Sequence, residues 1–288
     1  RQTWQVLFDD DNQGRMLNWQ KQENFANHAE IEQVTVPASL EEFQQDYEGV
    51  AWYGKTFIRP ANWHNKTIRL HFEAVNYRAE IWINNQAAGA HEGGYTGFEL
   101  LIDDLLTNGE NFIAVRVITP LIRRHITIDG LGRDDMPHWR GAITGGIWQP
   151  VYLIATGHVF IDDTFVTPDI HTGEIIIANT WQNQQTKIQD VKSTWTLTKY
   201  NDNTPLVCRQ EQLRLNPGTT HYQTSIAIKD HKLWHLDTPH LYVLTTTLRL
   251  DAVDSDQTQT RFRYREFTAR GKNFYHNGEK NILKKKKK

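Results

Sequence analysis

The chain has 288 residues, of which 39% are hydrophobic and 11% aromatic, values that predict two soluble globular domains and exclude a disordered polymer. Its net charge is −2 although the basic residues include a terminal lysine run, residues 284–288, so the rest of the chain is acidic, which disfavours nucleic acid as a partner. No apolar run approaches the roughly 20 residues of a membrane helix, and Cys208 is the single cysteine, which excludes a membrane span and an internal disulfide but leaves the compartment open.

From about residue 50 the apolar residues recur with a period near two, which predicts strands with one buried face. Ile68, Leu70 and Phe72 fall on one side of such a strand, while Arg69 and His71 fall on the other. The fold class predicted for this half is therefore an all-β sandwich. Helices are expected to be minor, apart from a short one near residues 39–45.

The segments that follow predict a hairpin and the central strands of this sandwich. Residues 78–84 alternate in the same way and end at Asn84-Asn85, two residues that tolerate the positive φ of a tight turn, so a hairpin is predicted. Residues 112–118 and 146–155 are apolar on both faces, which predicts strands at the centre of the sandwich. The aromatic residues of these strands, Trp52, Trp82 and Trp148, are interpreted as core.

A second series of strands begins after Gly157. Turn clusters rich in Asn, Asp, Pro and Gly separate them at the spacing expected of an immunoglobulin-like sandwich. We therefore expect domains at 1–157 and 158–267, with 268–288 as a linker that ends in a solvated lysine run, either a translated A-rich tract or a functional basic tail. The predicted strands are residues 159–166, 174–181, 191–200, 205–215, 220–228, 242–250 and 257–267.

A polar loop, residues 134–141, precedes the apolar segment 146–155 and is the candidate for ligand binding. It contains a tryptophan, which can stack on the apolar face of a sugar, and acidic and basic groups, which can bond its hydroxyls. The alternative is that Trp139 and Arg140 pack between the two domains. The candidate substrate-binding residues are Asp134, Asp135, His138, Trp139 and Arg140.

Possible metal ligands are weighed and rejected. Three histidines, His231, His235 and His240, include a pair spaced by four, but they precede a strand rather than lie on a helix. Asp129 and the two aspartates of the polar loop lack the regular spacing of a calcium-binding loop. We therefore predict neither a metal nor a cofactor.

Several motifs along the chain occur in the same order in one known family. They are GVAWYGKTF at 49–57, GGYTGF at 93–98, GGIWQPVYL at 145–153, PHLY at 239–242 and FYHNGEK at 274–280. Together they resemble the front part of the family 2 glycoside hydrolases, the group of β-galactosidases, β-glucuronidases and β-mannosidases. The resemblance implies a jelly-roll sugar-binding domain followed by an immunoglobulin-like domain.

The resemblance also implies a retaining exo-β-glycosidase whose two catalytic glutamates lie on a (β/α)₈ barrel outside this chain. The family's acid/base glutamate follows an asparagine, and this sequence contains no Asn-Glu pair. No catalytic residue is therefore expected here, and the chain alone is expected to be inactive. The polar loop is similar in position to one that reaches the sugar subsite in some relatives. The expected partners are a β-glycoside and the missing barrel, and a second copy of the chain is left open as a further partner.

Two other functions remain open at this point. One is a stand-alone carbohydrate-binding β-sandwich protein without hydrolase activity. The other is an adhesive sandwich that binds another protein, although no residue pattern specifically indicates it. The sequence does not decide between galactosides, glucuronides and mannosides, because the barrel loops chiefly determine which sugar is cleaved.

Overall fold

The computed structural model describes residues 2–136 and 144–281. The chain divides into two compact units, Arg1–Ala155 and Thr156–Lys288. Within the described ranges, no helix is long and apolar enough to cross a membrane.

Unit 1 is a sandwich of a six-stranded sheet, in the order β2-β1-β3-β8-β5-β6, and a three-stranded sheet, in the order β7-β4-β9. Neighbouring strands of the larger sheet are antiparallel. In chain order the nine strands are β1 (Gln2–Asp9), β2 (Glu32–Val36), β3 (Val50–Ile58), β4 (Thr67–Phe72), β5 (Arg78–Ile83), β6 (Gln86–Glu92), β7 (Phe98–Leu101), β8 (Glu110–Ile118) and β9 (Val151–Thr156).

Strand β8 is covered on both faces, as predicted. Successive side chains of a strand point to opposite faces, and Ile113, Val115 and Val117 enter the core between the two sheets. Phe112 and Ala114 enter a second core on the other side of the same sheet. The six-stranded sheet is therefore the middle layer of unit 1.

An outer layer covers this second face. It consists of residues 10–31, which include helix α1 (Gln22–Ala26), and of the segment 119–136. Phe25 of α1 packs on Gly54, where a Cβ would lie 2.4 Å from the phenyl ring. Glycine at this position allows the helix to approach the sheet closely.

Unit 2 is a second sandwich, made of the sheets β10-β11-β14 and β13-β12-β15-β16. Its core includes Trp181, Trp195 and Tyr242. A small third sheet, β17-β18-β19, follows. The strands are β10 (Val159–Pro168), β11 (Glu174–Asn183), β12 (Gln189–Lys199), β13 (Pro205–Leu215), β14 (Gly218–Ala227), β15 (Tyr242–Leu250), β16 (Val253–Phe262), β17 (Phe267–Arg270), β18 (Asn273–His276) and β19 (Glu279–Asn281).

The all-β class, a jelly-roll sandwich followed by an immunoglobulin-like one, is confirmed. The hairpin between β5 and β6 turns at Asn84 and Asn85, which have φ values of 50° and 66°. The short helix expected near residues 39–45 is a single 3-10 turn, Leu40–Glu42, in which the Ser39 hydroxyl accepts the Glu41 N–H.

Two expectations differ from the structure. Residues 146–155 were expected to form a central strand, but β9 begins only at Val151 and lies at the edge of its sheet, with Tyr152 exposed. The glycine pair and Pro150 that precede Val151 keep this stretch irregular. The segment predicted as a linker from residue 268 contains the sheet β17-β18-β19, whose second turn is formed by Asn277-Gly278 with positive φ.

Candidate functional site

Both flanks of the segment 137–143 are held at one point of unit 1. Asn76 Nδ2 donates a hydrogen bond of 2.7 Å to the carbonyl oxygen of Thr144. The hydroxyl of the next residue, Tyr77, lies 3.3 Å from the carbonyl oxygen of Asp135. These consecutive residues, which join β4 to β5, therefore fix where the polar loop leaves and rejoins the sandwich.

The aspartates of the predicted site lie on the near flank. Asp134 and Asp135 are exposed and belong to a 3-10 turn, Arg133–Asp135. Asp135 Oδ2 accepts the backbone N–H of Gly132 at 2.9 Å, so this carboxylate stabilises the turn. Asp134 has no hydrogen-bond partner among the described residues and is available to a ligand.

The other three predicted site residues, His138, Trp139 and Arg140, lie outside the described residues. Their assignment stays a prediction. The structure thus brings Asp134 and Asp135 to one turn.

A tyrosine–carboxylate pair adjoins the anchored flank. The single O–H of Tyr77 is shared between Glu92 Oε1 at 3.1 Å and the carbonyl oxygen of Asp135 at 3.3 Å. Burial raises the pKa of Tyr77, and the hydrogen bond to Glu92 and the charge of this carboxylate raise it further. The phenol therefore stays protonated at neutral pH and acts as a hydrogen-bond donor.

Two aromatic side chains lie at the turn that follows Glu92. Trp148 Nε1 donates to the carbonyl oxygen of Gly94 at 2.8 Å, and the Tyr95 ring stands edge-on to Trp148 with centroids 5.7 Å apart. Tyr95 is 67% exposed. Gly94 packs on Asn76, where a Cβ would meet Oδ1 at 2.2 Å, so these aromatic rings adjoin the anchor residue. An exposed aromatic ring of this kind can stack on the apolar face of a sugar.

Sequence analysis missed Asn76, Tyr77 and Tyr95 as site residues. Trp52 is buried, as expected of a core residue, but Trp148 is only half-buried. Tyr95 belongs to the GGYTGF motif, and this motif was the available signal. Asn76 and Tyr77 carry no motif signal, since their role depends on contacts with residues 58 to 68 positions away in the sequence.

A charge cluster lies under the outer layer of unit 1. Trp52, Arg116 and Glu80 form one cross-strand row, and Arg116 is fully buried. Arg116 Nη1 lies 3.0 Å from Glu80 Oε2 and 2.9 Å from Asp129 Oδ2, and Arg15 pairs with the same two carboxylates. Both carboxylates are therefore neutralised by guanidinium groups.

Asp129 thus faces two arginines rather than a cation site. No group of three metal-ligating side chains occurs in residues 2–136 and 144–281. Of the histidines considered, His231 Nε2 lies 2.8 Å from the carbonyl oxygen of Ile170, and the His235 ring packs against His276. Burial lowers the pKa of His276, and the nearby His235 adds to this effect.

The two units define an all-β protein made of consecutive sandwich domains. Residues 15–157 match the sugar-binding domain of the family 2 glycosyl hydrolases, and residues 159–265 match a further domain of the same family. The chain belongs to glycosyl hydrolase family 2.

Characterised relatives include two different activities. A β-galactosidase from Thermoanaerobacter pseudethanolicus is 28% identical over 268 residues, which cover 88% of this chain and 34% of that protein. A β-glucuronidase from Bacteroides fragilis is 28% identical over 254 residues, which cover 81% of this chain and 34% of that protein.

Solved structures show the same fold. A family 2 member from Bacteroides cellulosilyticus matches with a TM-score of 0.81 and 23% identity over 98% of this chain and 37% of the other. The chain spans about a third or less of the length of the curated relatives that it matches.

Proposed function

We propose that this chain is the non-catalytic N-terminal part of a retaining exo-β-glycosidase, of the β-galactosidase type, which hydrolyses terminal β-linked sugars in carbohydrate metabolism. The observation that carries the proposal is the succession of two family 2 domains over residues 15–265. The parent protein carries its active site on a separate (β/α)₈ barrel, and the chain alone is inactive.

The chemistry of the described residues supports this division. Retaining hydrolysis needs two carboxyl groups about 5 Å apart, one to protonate the leaving oxygen and one to attack the sugar. Glu80 and Asp129 are close enough to share Arg116, but both are engaged by arginines. A nucleophile must be free to reach the sugar, and both members of this pair are held by arginines instead.

In this proposal the polar loop supplies sugar contacts at the rim of the barrel. Asp134 is exposed and free of hydrogen bonds within the described chain, and the anchors Asn76 and Tyr77 fix the flanks of the loop. His138, Trp139 and Arg140 complete the proposed subsite. Stacking by Trp139 and hydrogen bonds from the charged groups would then select the terminal sugar.

The first test is an assay of the full 288-residue chain on 4-nitrophenyl β-D-galactopyranoside and the matching β-D-glucuronide. We expect no release of nitrophenol above the buffer rate. Turnover that is lost in the double variant Glu80→Gln/Asp129→Asn, with folding checked by circular dichroism, would overturn the proposal by locating the chemistry in this chain.

The second test is the nucleotide sequence that follows the codon for Leu283. The proposal expects an open reading frame that continues into a (β/α)₈ barrel with two catalytic glutamates. A stop codon in the natural gene directly after the lysine codons would contradict it.

A second candidate function is a stand-alone carbohydrate-binding protein. The exposure of Tyr95 against Trp148 favours it, since such a ring can stack on a sugar without a barrel. Calorimetry with galactosides, mannosides and glucuronides tests it in the variants Tyr95→Ala and Trp139→Ala. Phe165→Ala is the matched control, because Phe165 is 64% exposed but lies in unit 2. Millimolar or tighter affinity that is lost in the first two variants and kept in the control would favour this function over the glycosidase proposal.

A further inference from the structure

The open side of the unit 1 sandwich contains a cavity of about 360 Å³. Trp4 of β1, with Lys55 and Phe57 of β3, lines it on one sheet, and Leu70 and Leu153 of β4 and β9 line it on the other. The cavity forms where the three-stranded sheet is too narrow to cover the six-stranded one. Cavities of this size, apolar with a few polar groups, hold small organic ligands.

One of the side chains that line the cavity is the cationic Lys55, which lies on the core-facing side of its sheet. Tyr53, Lys55 and Phe57 are every second residue of β3, and every second side chain of a strand points to the same face. The Lys55 side chain therefore leaves the sheet on the same face as these two aromatic residues. Its Nζ donates to the carbonyl oxygen of Thr3 at 2.8 Å and lies 5.9 Å from the centre of the Trp4 ring. Among the described residues no carboxylate pairs with this ammonium group.

Lys55 is therefore a charge without a counter-charge in partly apolar surroundings. Burial lowers the pKa of Lys55, which means that the surroundings disfavour the charged form. The hydrogen bond to Thr3 uses one of its three N–H donors, and two donors remain for a ligand.

A second donor in the same wall lacks a partner. Trp4 is 3% exposed, and its Nε1 is buried without a hydrogen-bond acceptor among the described residues. Buried donors normally have a partner, so an orphaned one calls for an explanation. The Trp4 ring lies beside the ammonium group, with its centre 5.9 Å from Lys55 Nζ, and gives the cavity an aromatic wall next to the charge.

We propose that this cavity binds a small carboxylate with an apolar body, whose carboxylate pairs with Lys55 and whose body packs on Phe57, Leu70 and Leu153. A neutral ligand would leave the ammonium group unpaired. A cation would be repelled, and a phosphate dianion would require more than the single positive charge present. The site is independent of the proposed glycosidase function, because it contains none of the residues of the polar loop.

The experiment measures binding of 3-phenylpropionate to the full chain by calorimetry and saturation-transfer NMR. Its uncharged analogue, 3-phenylpropanamide, has the same shape and lacks the negative charge. We expect submillimolar affinity for the acid and at least about tenfold weaker binding of the amide, because the amide lacks the negative charge that pairs with Lys55.

Lys55→Met keeps the length of the side-chain stem and removes the ammonium group. It is expected to weaken binding of the acid at least about tenfold and to leave the affinity for the amide almost unchanged. The matched control is Lys21→Met, since Lys21 precedes α1 in the outer layer, on the opposite face of the sheet, and is expected to bind as the unmodified chain does.

Three results would overturn the proposal. They are no binding of the acid at millimolar concentration, equal affinity for acid and amide, and undiminished binding of the acid by folded Lys55→Met. The comparison of acid with amide uses the unmodified chain, so the proposal remains testable even if Lys55→Met does not fold.

Discussion

Units 1 and 2 are both β-sandwiches, but they differ in what lies outside their sheets. In unit 1 an outer layer covers the far face of the six-stranded sheet and buries Trp52 and Arg116 there. On β11 of unit 2, by contrast, Ile176 lies between the buried residues Ile175 and Ile177 and is 40% exposed, so this part of the outer face is open to solvent. Unit 1 therefore has a surface on which long loops can be anchored. Unit 2 is stabilised mainly by strands in which buried and exposed side chains alternate.

The largest decrease in the free energy of unfolding is expected for Arg116→Met. Removal of the buried guanidinium leaves Glu80 and Asp129 without their buried partner, and loss of one member of such a cluster costs about 3–5 kcal/mol. Urea denaturation should show this loss, and hydrogen exchange should place it in unit 1. The control is Arg214→Met in unit 2, where Arg214 and Asp190 are 74% and 78% exposed and a change below about 0.5 kcal/mol is expected. Equal effects of the two variants would show that the buried cluster does not hold the outer layer.

A smaller effect is expected for Gly54→Ala. The new Cβ would lie 2.4 Å from the Phe25 ring, so α1 must move away, and overpacking of this kind costs about 1–3 kcal/mol. Faster hydrogen exchange confined to residues 22–26 would support the outer layer as a separately packed element. Gly109→Ala is the control, since no atom lies within 4 Å of its added Cβ, and it should leave exchange unchanged.

In unit 2 we expect Asn277→Ala to lower the free energy of unfolding by about 1–2 kcal/mol. Asn277 Oδ1 accepts the Glu266 N–H at 3.0 Å, and Nδ2 donates to the carbonyl oxygen of Trp234 at 2.9 Å. Its φ of 51° adds to the cost for alanine. Asn277→Gly keeps the favourable φ and loses only the hydrogen bonds, so thermal denaturation of both variants separates the two causes. A loss in neither variant would show that the turn does not depend on Asn277.

The smallest change in the free energy of unfolding is expected where β13 and β14, the edge strands of the two unit 2 sheets, lie side by side. A hydrogen bond from Tyr222 holds the pKa of Glu211 below its usual range. The stabilisation is therefore present above the unfolded-state pKa of about 4.3 and is lost as the pH falls through the lower folded-state value. Tyr222→Phe keeps the stacking on Trp181 and should cost less than about 1 kcal/mol at pH 7. Urea titrations should show a smaller deficit at pH 3, and an equal deficit at both pH values would exclude this linkage.

The same contrast explains how much of the fold could be predicted from sequence. Alternation alone located the seven strands of the unit 2 sandwich, and the predicted ranges for β13 and β15 agree with the observed bounds. In unit 1 the five-residue helix α1 was missed, since it is too short to show a helical period and is stabilised by packing on Gly54. Residues 112–118 were described as apolar, although Arg116 is buried among them.

Some residues of the candidate site could likewise be predicted from the sequence, and others could not. Asp134 and Asp135 were predicted because acidic residues cluster beside a tryptophan in the sequence, and their role in ligand binding stays a prediction. Asn76 and Tyr77 were missed because an anchoring role is set by contacts between distant residues, and no local pattern indicates such contacts. The cation of the apolar cavity was missed for the same reason, since the contact of Lys55 with Thr3 depends on the pairing of β3 with β1.

The anchor formed by Asn76 and Tyr77 has a consequence for protein engineering. Because both flanks of the segment 137–143 are fixed at one point, we expect that the sequence between Met136 and Thr144 can be exchanged without moving the strands on either side. The entropy of closing a loop grows only slowly with its length, so longer inserts should be tolerated there. This position is therefore a natural graft point at which loops of different length and chemistry can be compared on one unchanged scaffold.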